Sequence, residues 1–354
     1  MELKQEHIIL QNNLRRFVQR EVEPFVVRID RDNYFPRELG SKLSDMGLLG
    51  ILVPEEYGGS GFDTTSFGIA LEEIARMSGS LALLIGAHNG LVITTLLSSG
   101  SEDLKKKYLP QLAQGQKLGG FCLESESSLT LSGRKVSGRA RFVLGGGAAD
   151  ILILPVNRNN EKIYFLIESS TPGIRIRKRE DMMGMRGSGI ADIDFDEALL
   201  EESAIFNPQP VEEVAAIFNV GMAAIGVGLC QSALDASLKY SKERHQFGQA
   251  ICNFDMVQDM LAEMALRTHT SRLLLYDASF KRDNRRPFVK EALMAKIYAA
   301  QSATLVTRYG VQIHGGYGYT KDYPIERMFR DAKATEVIGG ISEEQRLSLA
   351  KGML

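Results

Sequence analysis

The residues best suited to chemistry in this sequence are the glycines of its C-terminal quarter. Within residues 312–345, glycines at positions 315, 316 and 318 free backbone amides to approach a ligand or a neighbouring helix. Gly339 and Gly340 then interrupt a charged, helix-favouring segment that Pro324 opens. A helix broken by two glycines leaves backbone groups free at a concave kink. The spacing alone therefore predicts either a binding site or an ordinary helix end and turn.

A further helix is predicted directly after this kink. Ser342 and Gln345 stand three residues apart, ahead of apolar positions, which is the pattern of a capping box. Upstream, Pro287 and Gly310 are expected to mark the beginning and the end of another helix. The kink is thus predicted to lie between two helices of one bundle.

Other nucleotide-binding and catalytic patterns are absent. The segments MGMRGSG (183–189) and HGGYGYT (314–320) are rich in glycine, but neither follows a strand of a βαβ unit, so a Rossmann site is not expected. The sequence contains no GxxxxGK[ST] phosphate loop and no HExxH zinc motif. His88 has no carboxylate or cysteine near it in the sequence, and we interpret it as a buried, hydrogen-bonded histidine.

The composition indicates a globular protein of two or three packed units. The chain has 354 residues, of which 44% are hydrophobic, and a net charge of −2, which gives no reason to expect a nucleic acid or a membrane surface as partner. We expect no apolar run of membrane-spanning length. Cys122, Cys230 and Cys252 form no CxxC pair, so neither disulfides nor zinc are expected. The charged N-terminus lacks the apolar core of a signal peptide, and the expected location is cytoplasmic.

The hydrophobic periodicity divides the chain into three regions. It predicts an α+β protein with an N-terminal all-α domain (1–117), a small central antiparallel β domain (118–208) and a C-terminal four-helix bundle (209–354). In the bundle, Gly221, Gly228 and Ser232 form a seam of small residues that permits close packing of helices.

Five segments resemble the signatures of one known family. The segment QIHGGYGYTKDYPIERMFRDAK (312–333), followed by the kink and SEEQR, resembles the C-terminal signature of the acyl-CoA dehydrogenase family, flavoenzymes that desaturate acyl thioesters. Four other segments agree in the same order: LVPEEYGGSG (52–61), FVLGGGAAD (142–150), MGMRGSG (183–189) and RHQFG (244–248). The resemblance covers nearly the whole chain, and it implies the same order of helical, β and bundle domains.

The resemblance implies that FAD is held partly by a neighbouring subunit. In the family, the motifs RxxFG and QxxGGxG reach the adenosine-diphosphate end of the neighbour's FAD. The matching residues of this chain are Arg244, Phe247, Gln312, Gly315 and Gly316. A guanidinium and glycine-freed amides are suitable donors for a pyrophosphate. Alternatively, Arg244 pairs with Glu243 or Asp255 on the surface.

The residues that the resemblance places on the chain's own flavin are less well kept. Glu124 stands where the family has a threonine that contacts the isoalloxazine, in FCLESESSLT, and the loop that helps to hold acyl-CoA is shortened. Leu144 replaces a second flavin-contacting threonine and cannot donate a hydrogen bond. Phe142 can still stack on the ring.

Both family positions of the catalytic base lack a carboxylate. The usual glutamate falls on Gly339, and the position used by a second branch of the family falls near Phe218. A general base contributes roughly 100- to 10,000-fold in rate, so its loss is expected to nearly silence desaturation unless another group substitutes. Glu336 is a weak substitute, because an ideal helix turns it about 60° away from position 339. Glu124 is another, but an anion there would oppose the charge that arrives when the flavin is reduced.

Three functions are compatible with this pattern. The first is an FAD-dependent acyl-CoA dehydrogenase, or a reductase that runs in reverse, working as a homo-oligomer with an electron-transfer flavoprotein or a similar acceptor. The second is a catalytically silent subunit that completes the FAD site of a homologous partner. The third is a flavin-dependent oxygenase relative, which needs no base. The losses at the chain's own flavin site count against the third.

Overall fold

The computed structural model describes residues 3–33, 35–123, 127–158, 161–179, 181–206 and 211–354. Within them the elements change from helix to strand between Ala113 and Gly119, and back to helix between Phe206 and Val211. The predicted fold class is confirmed. The domain limits at 117/118 and 208/209 stay a prediction.

The N-terminal helices are positioned by capping side chains and by an apolar core. The Asp63 carboxylate accepts a hydrogen bond from Ser66 N–H (2.8 Å) at the start of α4, and serine hydroxyls cap α5 and α7 in the same way. A π-helical turn, His88–Ile93, joins α5 to α6. The helices are α1 (Gln5–Phe17), α2 (Val26–Asp32), α3 (Gly40–Asp45), α4 (Thr64–Ala75), α5 (Gly79–Ala87), α6 (Thr94–Ser99) and α7 (Glu102–Ala113).

The central region is one mixed sheet. Its strands are β1 (Gly119–Phe121), β2 (Thr130–Ser132), β3 (Lys135–Val143), β4 (Ile151–Arg158), β5 (Glu161–Glu168), β6 (Ile174–Arg179), β7 (Ala191–Leu199) and β8 (Ile205–Phe206), in the order β6-β7-β3-β2-β4-β5-β8 with β1 also on β4. Most neighbours are antiparallel as expected, but β1 and β2 run parallel to β4. The sheet is therefore not purely antiparallel, because these two pairs are not joined by hairpins.

The two faces of this sheet pack against different cores. On β4, Leu152 and Leu154 enter an apolar core within the β region. Ile151 and Ile153 alternate with them and enter the large helical core. The sheet consequently presents one apolar face to the helices, and the candidate site forms along that contact.

The C-terminal region is a bundle of long helices. Its helices are α8 (Val211–Glu243), α9 (Asp255–Asp283), α10 (Val289–His314), α11 (Ile325–Thr335) and α12 (Ser342–Lys351), and a short hairpin, β9 (His245–Gln246) and β10 (Gln249–Ala250), connects α8 to α9. The predicted end of a helix at Gly310 was wrong, since α10 continues to His314. A Cβ on Gly310 would lie 2.4 Å from the Ile325 side chain, so the glycine permits α11 to pack there.

The predicted seam of small residues on α8 is confirmed as a helix contact. A Cβ on Gly228 would lie 2.4 Å from the Glu72 carbonyl oxygen, and Ser232 Oγ donates to the Arg76 carbonyl at 2.7 Å. The seam therefore holds α4 against α8 within one chain. It is filled by the protein's own helix and is not a free surface.

The MGMRGSG segment docks the β region onto α11. A Cβ on Gly184 would lie 2.2 Å from the Arg330 carbonyl oxygen, and Met185 N–H donates to the buried Asp331 carboxylate at 2.6 Å. Arg330 binds Asp30 through both terminal nitrogens, at 2.8 and 2.7 Å. This contact explains why two of the segments that carry the resemblance occur together: they pack on each other.

Two helical stretches are long and apolar enough to cross a membrane, contrary to the expectation from the sequence. They are Gly79–Ser99 and Val211–Glu243. In their most apolar windows, 94% and 83% of the residues are buried inside the protein. Burial in the core accounts for their composition.

We predict that Asp331 makes the protein's stability depend on pH. Burial raises the pKa of Asp331 to about 6, above its unfolded value, so the native state holds a proton that the unfolded state has lost between about pH 4 and pH 6. The stabilisation that Asp331 contributes to the native state is complete below pH 4 and is lost as the pH rises through 6. Asp331→Asn keeps an acceptor for Met185. The free energy of unfolding of the wild type minus that of the variant should fall by roughly 3 kcal/mol between pH 4 and 7.

Denaturant unfolding at several pH values measures this difference. Asp45→Asn, which changes an exposed carboxylate on α3, is the control and should give a flat difference. A flat difference for Asp331→Asn as well would show that its carboxyl titrates alike in both states.

Candidate functional site

An apolar cavity of about 210 Å³, here called the inner cavity, lies where the three regions meet. The N-terminal helices, strands β1 and β5, the start of α8 and the glycine kink all contribute to its wall. The lining residues are Leu91, Thr95, Phe121, Leu123, Tyr164, Val211, Val214, Ala215, Phe218, Asn219 and Gly339. None of these described lining residues is acidic or basic.

The two positions that the family resemblance assigns to the catalytic base, Gly339 and Phe218, meet at one wall of this cavity. Gly339 has a φ of +78°, and a Cβ built on it would lie 3.0 Å from Phe218 Cε1. The Phe218 ring thus packs directly against the glycine, in the direction a side chain at 339 would take. Both positions are apolar, and both belong to the cavity wall.

The kink is held by a buried lysine that the sequence analysis missed. Lys296 is fully buried on α10, and its Nζ donates to the Gly340 carbonyl at 2.6 Å and to Gln345 Oε1 at 2.7 Å. Gln345 Nε2 donates in turn to the Gly339 carbonyl at 2.8 Å. Burial lowers the pKa of Lys296 to about 8. The signal available in the sequence was a lysine between buried alanines, Ala292, Ala295 and Ala299.

The predicted capping box does not form. Ile341 is the N-cap of α12, and the buried Ser342 Oγ has no hydrogen-bond partner among the described residues. The Gln345 side chain binds Gly339 and Lys296 instead. The prediction was wrong because the glutamine satisfies the carbonyl groups of the kink, which local sequence spacing does not reveal.

Neither substitute base is brought into the cavity by the described structure. The Glu336 carboxylate accepts hydrogen bonds from Thr304 Oγ1 and from Lys333 Nζ, the latter at 2.9 Å, and it does not line the cavity. Glu124 lies outside the described residues, directly after Leu123 of the cavity wall.

Leu144 and Phe142, which were expected beside the chain's own flavin, do not line the inner cavity. Leu144 is buried and exchanges backbone hydrogen bonds with Phe121, at 3.0 and 2.9 Å. Phe142, with a φ of +46°, is half-buried, and its ring lies 4.9 Å from the Arg141 guanidinium. Phe142 N–H donates to Asp192 Oδ1 at 3.0 Å.

A second depression, here called the outer cleft, brings together most of the residues expected to reach a neighbour's FAD. Its volume is about 470 Å³. Arg244, Gly315 and Gly316 line it. The other lining residues are Tyr240, Gln246, Ile251, Ile313, His314, Tyr317 and Thr320. Its floor includes the ring of His314, stacked on Tyr240 at a centroid distance of 4.3 Å.

The outer cleft contains an unpaired guanidinium and open space above its glycines. Cβ atoms on Gly315 or Gly316 would meet nothing within 4 Å, so packing within the chain does not require glycine there. The exposed Arg244 makes no side-chain ion pair with a described residue, which argues against the alternative pairing with Glu243 or Asp255. Open glycine backbone and a free guanidinium suit a phosphate-bearing ligand.

The remaining two residues of this set do not line the cleft. Phe247, at a φ of +52° in the β9–β10 hairpin, is 93% exposed. Gln312 is exposed on α10 and does not line the cleft. The structure thus unites three of the five residues and leaves Phe247 and Gln312 on the surface beside them.

His88 is a structural residue, as interpreted from the sequence. Its Nε2 donates to the Leu49 carbonyl at 3.0 Å, and its Nδ1 accepts from Gly119 N–H at 3.0 Å. Burial lowers the pKa of His88 to about 4, so the ring is neutral. It ties the N-terminal helices to strand β1, which carries Phe121 into the inner cavity. The three cysteines are free thiols, as expected.

Comparison with known proteins identifies the family. The family model "Acyl-CoA dehydrogenase, N-terminal domain" matches residues 4–116, and "Acyl-CoA dehydrogenase, C-terminal domain" matches residues 216–354. The chain is 35% identical to a probable acyl-CoA dehydrogenase of Bacillus subtilis, YngJ, over 100% of this chain and 99% of the relative. It is 33% identical to the acryloyl-CoA reductase (NADH) of Anaerotignum propionicum, over 99% and 95%.

A solved structure agrees with this assignment. Butyryl-CoA dehydrogenase from Megasphaera elsdenii superimposes with a TM-score of 0.94 at 29% identity, over 100% of this chain and 99% of that chain. The resemblance found in the sequence motifs is therefore confirmed. The chain belongs to the acyl-CoA dehydrogenase family, FAD-dependent oxidoreductases that act on CH–CH bonds by desaturating acyl-CoA thioesters or reducing them in reverse.

Proposed function

We propose that this chain binds an acyl thioester in the inner cavity and takes part in its FAD-linked desaturation or reduction within an oligomer. The observation that carries the proposal is the presence on one chain of an apolar cavity at the glycine kink and an open, cationic cleft at Arg244. An apolar cavity with few polar groups is the usual form of a site for an acyl chain. We also propose a cytoplasmic location and an electron-transfer flavoprotein or similar acceptor as partner.

The backbone at the kink offers one polar contact for the thioester. Gly339 N–H has no hydrogen-bond partner among the described residues, while its carbonyl accepts from Gln345. The Lys296 and Gln345 contacts fix the orientation of this peptide at the cavity wall. A fixed N–H beside a thioester carbonyl would stabilise the negative charge that develops when the α-proton leaves.

The outer cleft supplies the donors that suit the diphosphate of FAD. We assign the contact to Arg244 and to the backbone at Gly315 and Gly316, because the guanidinium makes no ion pair with a described residue and the two glycines are uncovered. Bound FAD supplies a two-electron acceptor or donor for the reaction. The exposed Phe247 and Gln312 lie where a neighbouring subunit would cover them, which supports at least a dimer.

A second candidate is a catalytically silent subunit that completes a homologous partner's FAD site. The observation in its favour is the contrast between the two sites. The outer cleft keeps its donors, whereas the described wall of the inner cavity contains no carboxylate and Leu144 offers no hydroxyl. The α-proton then has no acceptor among the described residues at this wall.

The first prediction from the proposed function concerns the cofactor contact. Arg244→Ala should weaken FAD binding by about 10- to 100-fold, since a charge-assisted hydrogen bond to phosphate contributes roughly 1.5–3 kcal/mol. Equilibrium dialysis of the intact oligomer measures it. Arg16→Ala, at an exposed arginine of α1, is the control and should leave the affinity unchanged. Equal affinities for wild type and Arg244→Ala would refute the assignment.

The second prediction separates the two candidate functions by stoichiometry. A homo-oligomeric enzyme should contain one FAD per chain, because every subunit then has both parts of a site. A silent partner subunit should contain little FAD alone and one FAD for every two chains with its homologous partner. Flavin absorbance combined with light scattering distinguishes these results. A stable monomer that no partner changes would contradict both candidates.

The third prediction concerns the missing base. The wild type should show negligible turnover of butyryl-CoA with an artificial electron acceptor. Gly339→Glu alone should cost roughly 2–3 kcal/mol of unfolding free energy, since φ is positive and the Phe218 ring lies at contact distance. In a Phe218→Ala background the cost of the same change should fall by about 1 kcal/mol or more. Any turnover gained from the new glutamate should be highest in the double variant.

Gly133→Glu is the matched control for this prediction. Gly133 also has a positive φ, +60°, but a Cβ there meets nothing within 4 Å. The Gly133→Glu variant should have the same backbone strain, and its cost in unfolding free energy should not change when Phe218 is replaced by alanine. Robust turnover by the wild type would show that another group serves as the base. Additive costs in unfolding free energy at positions 339 and 218 would show that a side chain at 339 does not meet the Phe218 ring.

A further inference from the structure

One polar side chain in the wall of the inner cavity has an unpaired hydrogen-bonding group. Thr95, on α6 just after the π-helical turn, lines the cavity and is 1% exposed. Its Oγ1 is buried and has no hydrogen-bond partner among the described residues. Four buried serine hydroxyls share this property, at Ser237, Ser271, Ser302 and Ser342, but none of them lines the inner cavity.

Thr95 differs from the other buried helical threonines of the chain. A helical threonine ordinarily donates its hydroxyl proton to a carbonyl three or four residues earlier. Thr268 and Thr307 do so at 2.7 and 2.6 Å, and Thr94 reaches back across the π-helical turn to the Asn89 carbonyl at 2.9 Å. The Thr95 hydroxyl makes no such bond. Irregular turns of this kind occur frequently beside functional sites.

A second polar side chain lines the cavity on a different helix. Asn219 follows Phe218 on α8, is half-buried, and its amide makes no hydrogen bond to a described residue. Seven of the remaining lining residues, from Leu91 to Phe218, carry aliphatic or aromatic hydrocarbon side chains. A purely alkyl chain in this cavity would leave the Thr95 hydroxyl unpaired and exclude water from it, which is unfavourable.

We propose that Thr95 selects acyl groups that carry a hydrogen-bonding oxygen or nitrogen on the chain, such as a hydroxyl, carbonyl or amide, over plain alkyl groups. Asn219 is the second group that such a substituent can contact. This inference rests on the proposed binding of acyl thioesters in the inner cavity. It names Thr95 as a specificity-determining residue and leaves the reaction itself unchanged.

The test compares two thioesters of the same shape. 3-Hydroxybutyryl-CoA and 3-methylbutyryl-CoA differ by a hydroxyl in place of a methyl group on the same carbon. Isothermal titration calorimetry of the intact oligomer should show about tenfold tighter binding of the hydroxylated thioester to the wild type, the order of discrimination that one buried hydrogen bond supplies. Thr95→Val should abolish the preference, and Thr95→Ser, which keeps the hydroxyl, should retain it.

Thr94→Val is the matched control. It removes a neighbouring hydroxyl that is already paired with Asn89, so it should lower the melting temperature without changing the preference. Equal wild-type affinities for the two thioesters, or a preference that survives Thr95→Val, would overturn the inference and leave the proposed function standing. Binding of neither thioester by the folded wild type would overturn the proposed function, and the inference with it.

Discussion

The geometry of the candidate site depends on one buried ammonium group. Lys296 reaches from α10 to the Gly340 carbonyl and to Gln345, and Gln345 completes the contact at Gly339. Two consecutive glycines with positive φ have many conformations available, and a helix end has unpaired carbonyl groups. The lysine satisfies these groups and restricts the kink to one conformation. The cavity wall at Gly339, its free N–H and its contact with Phe218 all follow from this restraint.

The two sites of the chain differ in the kind of chemistry they retain. The outer cleft keeps the unpaired Arg244 guanidinium and open space above Gly315 and Gly316. The inner cavity has an apolar wall, and neither Phe218 nor Gly339, where the family resemblance led us to expect a carboxylate, is acidic. A positive group on the surface costs little when it is unpaired, whereas a carboxylate buried in an apolar wall is costly. The chain thus has no carboxylate at these two positions of the apolar wall, where burial would make a charged group costly.

The sequence predicted the parts of this structure that depend on local pattern and on whole motifs. The three regions, the kink at Gly339–Gly340, the meeting of Arg244 with Gly315 and Gly316, and the structural role of His88 all agree with the structure. Helical period and glycine placement are local properties, so they can be read along the chain. Motif similarity added contacts between segments far apart in sequence.

The errors came from contacts that only the folded chain creates. Gln345 caps no helix because the kink competes for its amide, and Gly310 ends no helix because α11 packs on it. Lys296 read as an ordinary helix residue, since nothing near it in sequence shows which carbonyl it meets. The two parallel strand pairs could not be predicted from alternation, because alternation does not encode the direction of a neighbour. Thr95 and Tyr164 could not be predicted to line the cavity, because they come together only when the three regions pack.

The hairpin that carries Phe247 has a consequence for the life of a newly made chain. The Phe247 ring lies on a turn with a positive φ and meets the edge of Phe254 at a centroid distance of 6.3 Å, yet it stays 93% exposed. Until another surface covers it, such a ring favours non-specific association with other apolar surfaces. If a subunit interface covers the ring, as proposed, folding and assembly are linked, because the concentration of partner subunits then sets how long the ring stays in contact with water. Scarcity of partner would shorten the survival of the chain even when each chain has folded correctly.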